Sequence, residues 1–183
     1  MSWAAWVTGL PGSGKTTIAD ITADILRVKG VHVKVLNIDD VRKVLTPHAT
    51  YSLEERAIVY AAMAYMAKLL VDEGVNVIID ATGNLRQYRD VARKLIPDFV
   101  EIYVKCPLDV AIRREEARRG GNAPKDIYKK GMTGKSSTVP GVNVVYEPPE
   151  APLVTLDTEK LSAADAAALA ADVLMSHFGE AYD

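Results

Sequence analysis

The chain has 183 residues, 49% of them hydrophobic and 25% charged, with a net charge of −2. That length suits one domain with a single good core, and the near-neutral balance argues against a general nucleic-acid surface, leaving room only for local basic patches. A lone Cys106 excludes an internal disulfide and a cysteine-type metal cluster, and with apolar runs too short for a bilayer and no signal-peptide pattern, a soluble cytoplasmic protein is expected.

Trp3 to Thr8 reads as a short apolar strand, and Ile18, Ile21, Ile25 and Leu26 then recur at helical spacing. Between them lies Gly9-Leu10-Pro11-Gly12-Ser13-Gly14-Lys15-Thr16, which fits G-x-x-x-x-G-K-[ST] without a gap and in the order strand, loop, helix. Glycines in such a loop admit backbone conformations closed to residues with a Cβ, so successive N–H groups converge on a phosphate beside the positive end of the new helix. Lys15 is placed to reach the outer phosphates and Thr16 to put its hydroxyl on Mg²⁺. Gly9, Pro11, Gly12, Ser13, Gly14 and Thr17 complete the expected nucleotide contacts, with a nucleoside triphosphate as the ligand class.

The first helix closes at Gly30, and Val31 to Ile38 alternates as a second strand with Asp39 and Asp40 at its end. Ligands in open parallel sheets gather at that edge. Asp39 can help hold hydrated Mg²⁺ or accept a proton from an attacking hydroxyl; the competing reading makes this pair a helix cap, a role better suited to Asp40. Arg42 begins a short helix that ends before Pro47. Ser52 to Glu73 reads as a long helix opened by the capping box Ser52-Leu53-Glu54-Glu55, with Leu53, Ala57, Tyr60, Met63, Ala64, Ala67, Leu70 and Val71 on its apolar side. Arg56 sits in its first turn, where the helix dipole disfavours a cation. It is either an anion-binding group or a surface charge paired with a nearby glutamate.

Val75 to Ile79 is a near-continuous apolar strand, and Asp80 at its end is a second metal-side candidate. Thr82 to Arg89 turns into another helix, presenting Arg86 and Arg89. Their guanidinium forks suit a sulfate or phosphate, unless they are solvated helix charges. Phe99 to Lys105 alternates as a fourth strand, followed by a helix from Leu108 to about Arg119 with Arg113, Arg114, Arg118 and Arg119 toward its end. Residues 120–149 are rich in glycine and proline and carry a basic run from Lys125 to Lys135. Beside Arg118 and Arg119, and with Lys129, Lys130 and Lys135, this stretch reads as a lid closing over anionic substrates. Leu153 to Leu156 gives a fifth strand, and a last helix runs from Ser162 or Asp165 to about His177, packing through Leu169, Val173 and Leu174. His32, His48 and His177 are scattered and carry no visible chemistry.

Strands alternating with helices predict an α/β, three-layer P-loop NTPase fold, a five-stranded parallel sheet flanked by helices, as one kinase domain over residues 1–183. The Asn-Lys-x-Asp stretch usual in guanine-binding switches is absent. A nucleotide cradle, an acid for the acceptor hydroxyl, anion-binding arginines and a basic lid point instead to a small-molecule kinase.

Several blocks together resemble the adenylylsulfate kinases. They are the phosphate loop, Leu36-Asn37-Ile38-Asp39-Asp40-Val41-Arg42, Tyr51-Ser52 with Glu55-Arg56, Phe99 to Val104, Cys106-Pro107-Leu108, Ile127-Tyr128-Lys129-Lys130, Gly141, Tyr146-Glu147-Pro148-Pro149-Glu150 with Pro152, and Leu156-Asp157-Thr158. The resemblance implies ATP-dependent phosphorylation of the ribose 3′-hydroxyl of adenosine 5′-phosphosulfate in sulfate assimilation. It makes Asp39 the metal- and hydroxyl-side acid and Lys15 its catalytic partner. Arg42 and Arg56 become binders of the phosphosulfate, Tyr51 the aromatic against the substrate adenine, Arg114 the lid-base arginine near the ATP base, and Lys130 part of the lid's basic pair. Arg86 and Arg89 keep the family's spacing, and a homodimer is implied.

The departures are Asn37 in place of the family's first acid, Val59-Tyr60-Ala61-Ala62 in place of an Asn-x-x-Arg patch, Thr82-Gly83-Asn84 in place of Ile-Ser-Pro, and Val139 where an aromatic stands. These weaken the substrate's identity more than the reaction class. A kinase for another small phosphorylated or sugar-like acceptor, and a non-catalytic ATP-binding regulator, are the alternatives.

Overall fold

Alternation along the first strand explains how the layers form. In β1 (Ala4–Thr8), with Trp3 just before it, residues 3, 5 and 7 face one core and residues 4 and 6 the other, and all five strand residues are buried. The computed structural model describes residues 2–118, 120 and 125–179. Its sheet also contains β2 (Val33–Asn37), β3 (Asn76–Asp80), β4 (Phe99–Lys105) and β5 (Val154–Asp157). The strand order is β2-β3-β1-β4-β5 and every pairing is parallel. Thr8, Asn37 and Asp80 therefore end at one edge, and Asn37 and Asp80 are register partners.

On one face, Trp3, Ala5 and Val7 pack with α1 (Lys15–Val28) and α7 (Ala163–Phe178). The contact between those helices is made of small residues, Ala19 and Ala23 against Ala166, Ala167, Ala170 and Ala171, all fully buried. Thr22 Oγ1 donates to Ile18 O at 2.7 Å and lies 3.4 Å from Ala167 O across the seam. Leu174 also packs there, whereas Leu169, expected in the core, is exposed because the alanine stripe faces α1 instead.

On the other face, Ala4 and Trp6 meet α3 (Leu53–Asp72) and α4 (Arg86–Leu95) through Tyr60, Met63, Ala64, Ala67, Tyr88 and Ala92. The α3 sequence is apolar almost all round, so periodicity alone does not single out its buried side. Leu53 and Ala57, read as core, are exposed, and the buried side begins instead with Arg56, Val59 and Tyr60.

A third cluster ties the remaining elements to the loop after β1. Cys106, Ala111, Tyr128 and Val139 pack with Leu10 and Leu108, joining α5 (Leu108–Ala117) and α6 (Ile127–Met132). The region expected as an irregular lid thus contains a short helix. Its Tyr128, fully buried, donates its hydroxyl to Pro11 O at 2.6 Å. Among the described residues, no helix is long and apolar enough to cross a membrane.

Candidate active site

The loop between β1 and α1 is held open at its amides. Gly12 (φ 77°) and Gly14 (φ 99°) both take the left-handed conformation, and Gly14 caps α1 with no side chain bonded to the helix's first N–H groups. A helix start left this way offers its donors and its positive end to an anion. A Cβ on Gly12 would collide with the Ala111 carbonyl oxygen, so α5 walls the loop from behind. Lys15 is buried, and its Nζ donates to Leu10 O at 2.9 Å, arching back over the loop. Burial lowers the ammonium's pKa, opposed by the nearby carboxylates of Asp80 and Asp39.

The edge where β2 and β3 end supplies the acids. Asp80 Oδ2 accepts from Thr16 Oγ1 at 2.7 Å and from Asn37 Nδ2 at 2.5 Å. Asn37 Oδ1 in turn accepts from the backbone N–H groups of Asp39 (2.9 Å) and Asp40 (3.3 Å). The cap of α2 (Ile38–Leu45) is therefore Asn37, not Asp40, because β2 passes into the helix one residue earlier than the alternation suggests. Asp39 is left with its carboxylate facing the cleft. Burial raises the pKa of both Asp39 and Asp80; Lys15 opposes this at both, joined by Arg42 at Asp39 and by the Thr16 and Asn37 hydrogen bonds at Asp80. A hydroxyl and two carboxylates on one wall form a hard-oxygen set that fits Mg²⁺, an ion usually held by one or two carboxylates together with substrate phosphates and water.

Across the cleft stand Arg42, Tyr51 and Arg56. Tyr51 takes φ 56°, an uncommon conformation for a residue with a side chain. Its ring lies under Arg42 (4.8 Å to the ring centroid) and Arg56 (5.8 Å). Arg42 is paired with Glu55 at 2.8 Å. Arg56 differs: it is only 5% exposed and hydrogen-bonds to Tyr51 O, Asn84 Oδ1 and Thr138 O, all neutral acceptors. No carboxylate among the described residues pairs with it, so the reading as a glutamate-paired surface charge does not hold.

These groups share one cleft of about 610 Å³, a size usual for small-molecule sites. Its walls bring together Pro11, Gly12, Gly14, Lys15, Thr16, Thr17, Asp39, Arg42, Tyr51, Arg56, Arg114 and Lys130. Arg114 also donates to Thr158 Oγ1 (2.9 Å) and Thr158 O (2.7 Å), and Lys130 Nζ to Lys125 O (2.9 Å). Gly9 lies behind the loop against Val104, and Ser13 is fully buried beneath it, its hydroxyl without a hydrogen-bond partner among the described residues.

Arg86 and Arg89 are not brought to the cleft. Arg89 is 1% exposed, ion-paired with Glu101 and bonded to Gly83 O and Glu147 O, while Arg86 pairs with Glu150 at 2.7 Å and donates to Pro148 O. Both fasten the 147–150 strap across the start of α4, which consumes the forks that spacing alone made available to an anion. Arg113 forms a surface pair with Asp109 (3.0 Å), and Arg119 lies outside the described residues. Sequence reasoning placed Arg118 beside the lid, and the cleft is lined by it; it missed Glu115 as a lining residue and assigned Tyr60 to packing alone. Helical spacing reports which face is buried, not where a hydroxyl emerges.

A family profile described as "Adenylylsulphate kinase" matches residues 1–157. The chain belongs to this family. A probable adenylyl-sulfate kinase of Aeropyrum pernix is 40% identical over 158 residues, covering 84% of this chain and 82% of its own length. An adenylyl-sulfate kinase of Thermodesulfovibrio yellowstonii is 35% identical over 160 residues, covering 86% and 76%. The structure of the Mycobacterium tuberculosis APS kinase CysC in complex with AMPPNP and APS superposes with a TM-score of 0.83 at 30% identity, covering 94% of this chain and 97% of that one. A Janibacter sugar kinase, at 22% identity and a TM-score of 0.67, shares the fold alone. As a member of the adenylylsulphate kinase family, this protein is an ATP-dependent phosphotransferase that acts on a hydroxyl group.

Proposed function

We propose that this protein transfers the γ-phosphoryl group of ATP to the ribose 3′-hydroxyl of adenosine 5′-phosphosulfate, yielding 3′-phosphoadenosine 5′-phosphosulfate for sulfate assimilation. The observation that carries the reading is Arg56, a buried cation with no carboxylate partner among the described residues, placed across one cleft from the phosphate loop. Burying an unpaired charge is costly, and a bound anion supplies the missing partner. Arg42 lies beside it, and the Tyr51 ring between the two guanidiniums offers a flat surface for a base.

In this reading the loop amides and Lys15 grip the β- and γ-phosphates and meet the charge that develops on transfer. On ATP binding, Lys15 gives up its bond to Leu10 O. Asp39 orients the acceptor hydroxyl and takes its proton. Thr16, Asp39 and Asp80 would hold Mg²⁺, which would supply additional positive charge. Arg114 and Lys130 close the nucleotide side, and residues 120–149, of which 121–124 lie outside the described residues, act as the lid of a single kinase domain. Exposed Ile58, Tyr65 and Leu69, spaced along one side of α3, support a homodimer. The solitary buried Cys106 fits a reducing cytoplasm.

The test is incubation with ATP, Mg²⁺ and a panel of acceptors, including adenosine 5′-phosphosulfate and small sugars, with products identified by mass. The 3′-phosphorylated nucleotide is the expected product. Turnover only on another acceptor would replace the substrate assignment, and ATP binding without turnover on any acceptor would replace the enzyme reading.

A further inference from the structure

The side chain of Tyr60 departs from its neighbours in α3. It is 3% exposed and packs its ring against Tyr88 (centroids 4.9 Å apart) and Trp6 (6.0 Å), as an ordinary core residue does. Yet it also lines the cleft, on the same wall as Arg56, Tyr51, Ala81 and Thr82. Its hydroxyl oxygen accepts one bond, from Gly83 N at 3.2 Å. A phenol is both acceptor and donor, and a buried O–H ordinarily finds an acceptor. Among the described residues, the Tyr60 proton has none.

The groups whose fields reach this hydroxyl define what it can meet. Burial raises its pKa, and Arg56 and Arg42 are the two charged groups that oppose the rise. The phenol therefore stays neutral, keeps its proton, and sits in a positive field. An anion drawn in by the two guanidiniums is a strong acceptor for that proton, and an uncharged oxygen at that place is a weaker one.

We propose that Tyr60 is a substrate-binding residue whose hydroxyl donates a hydrogen bond to the anionic end of the acceptor, beside Arg56. This rests on the reading of the cleft as an adenosine 5′-phosphosulfate site. The hydroxyl has two tasks at once: its lone pair holds the Gly83 turn, and its proton serves the ligand. A neutral donor adds directionality where the two arginines already supply the charge, and it selects an oxyanion over a bulky uncharged group of similar shape.

The experiment is steady-state kinetics of the full chain and of Tyr60→Phe, varying adenosine 5′-phosphosulfate and ATP separately. The Phe ring keeps the packing against Trp6 and Tyr88. Loss of one hydrogen bond to a charged group predicts a KM for the acceptor raised about tenfold, with the KM for ATP and kcat within about twofold. An unchanged acceptor KM, or an equal rise in both KM values, overturns the proposal, since a residue that only anchors the Gly83 turn has no reason to act on one substrate alone. If the unaltered protein makes no product from adenosine 5′-phosphosulfate, the functional reading fails first, a result distinct from failure of Tyr60. Should the Phe variant not fold, a crystal structure of the unaltered chain with the acceptor decides the matter. The phenol oxygen lies within hydrogen-bond distance of an acceptor oxyanion, or the proposal is wrong.

Discussion

Replacing Arg56 with Met separates binding from architecture, because the two reasons for keeping an arginine there predict opposite outcomes. The substitution abandons three acceptors, Tyr51 O, Asn84 Oδ1 and Thr138 O. Each acceptor left dry costs about 1–3 kcal/mol. Against this, removing a buried cation that lacks a counter-charge recovers several kcal/mol of desolvation. Tyr51, with φ 56°, also keeps Arg42 over its ring. The two contributions largely cancel, so the unfolding free energy changes by about 2 kcal/mol or less in either direction. Substrate binding has no such offset. Truncating one partner of a desolvated charged pair costs about 2–5 kcal/mol, which raises the KM for adenosine 5′-phosphosulfate by at least ~30-fold. Urea unfolding of the ligand-free variant gives the first quantity and initial rates at varied acceptor give the second. A variant that unfolds far more readily while its surviving fraction keeps the original acceptor KM would show that Arg56 merely clamps Thr138, and the account of the cleft would be wrong.

Gly12→Ala forces a Cβ into the Ala111 carbonyl at a φ of 77°; it should destabilise by about 2 kcal/mol or more and weaken ATP binding, measurable by calorimetry. Arg89→Met leaves Glu101, 6% exposed, with Arg93 as its one ion-pair partner among the described residues; it should cost about 3–5 kcal/mol in urea unfolding while leaving both KM values of the folded enzyme unchanged. Burial raises the Asp39 pKa in the ligand-free protein. Asp39→Asn should abolish most turnover while sparing ATP affinity. The same shift has a sign for stability: the folded state holds the Asp39 and Asp80 protons more tightly than the unfolded chain does. Both carboxyls therefore lower the stability of the ligand-free protein as pH rises from 3.8 through their raised values, and Asp39→Asn should flatten that decline in unfolding measured across pH.

Local rules carry much of this molecule. The G-x-x-x-x-G-K-[ST] spacing locates the phosphate grip because the chemistry needs those residues consecutively, and two parallel strands show themselves as runs with Asp39 just beyond one and Asp80 closing the other. Arg56 stood out because a cation in a first helical turn contradicts the dipole, and the contradiction is met by three carbonyl-type oxygens. Two of the failures have one cause. Arg86 and Arg89 keep a spacing suited to an anion, but Glu101 and the 147–150 strap, distant in sequence, take their donors first. Likewise Asn37 became the cap in place of Asp40 through where β2 stops, a matter of pairing with β3. Long-range partners of this kind leave no mark in a window of neighbouring residues.

The alanine seam between α1 and α7 has a consequence for the far side of the molecule. With no side chain larger than a methyl among its six alanines, the two rods have no slack to absorb added bulk. An extra methylene at Ala170 would shove α1 bodily, and Gly14 and Lys15 travel with it. The accuracy with which this enzyme aims its first few amides is thus guarded by a helix that never approaches a nucleotide.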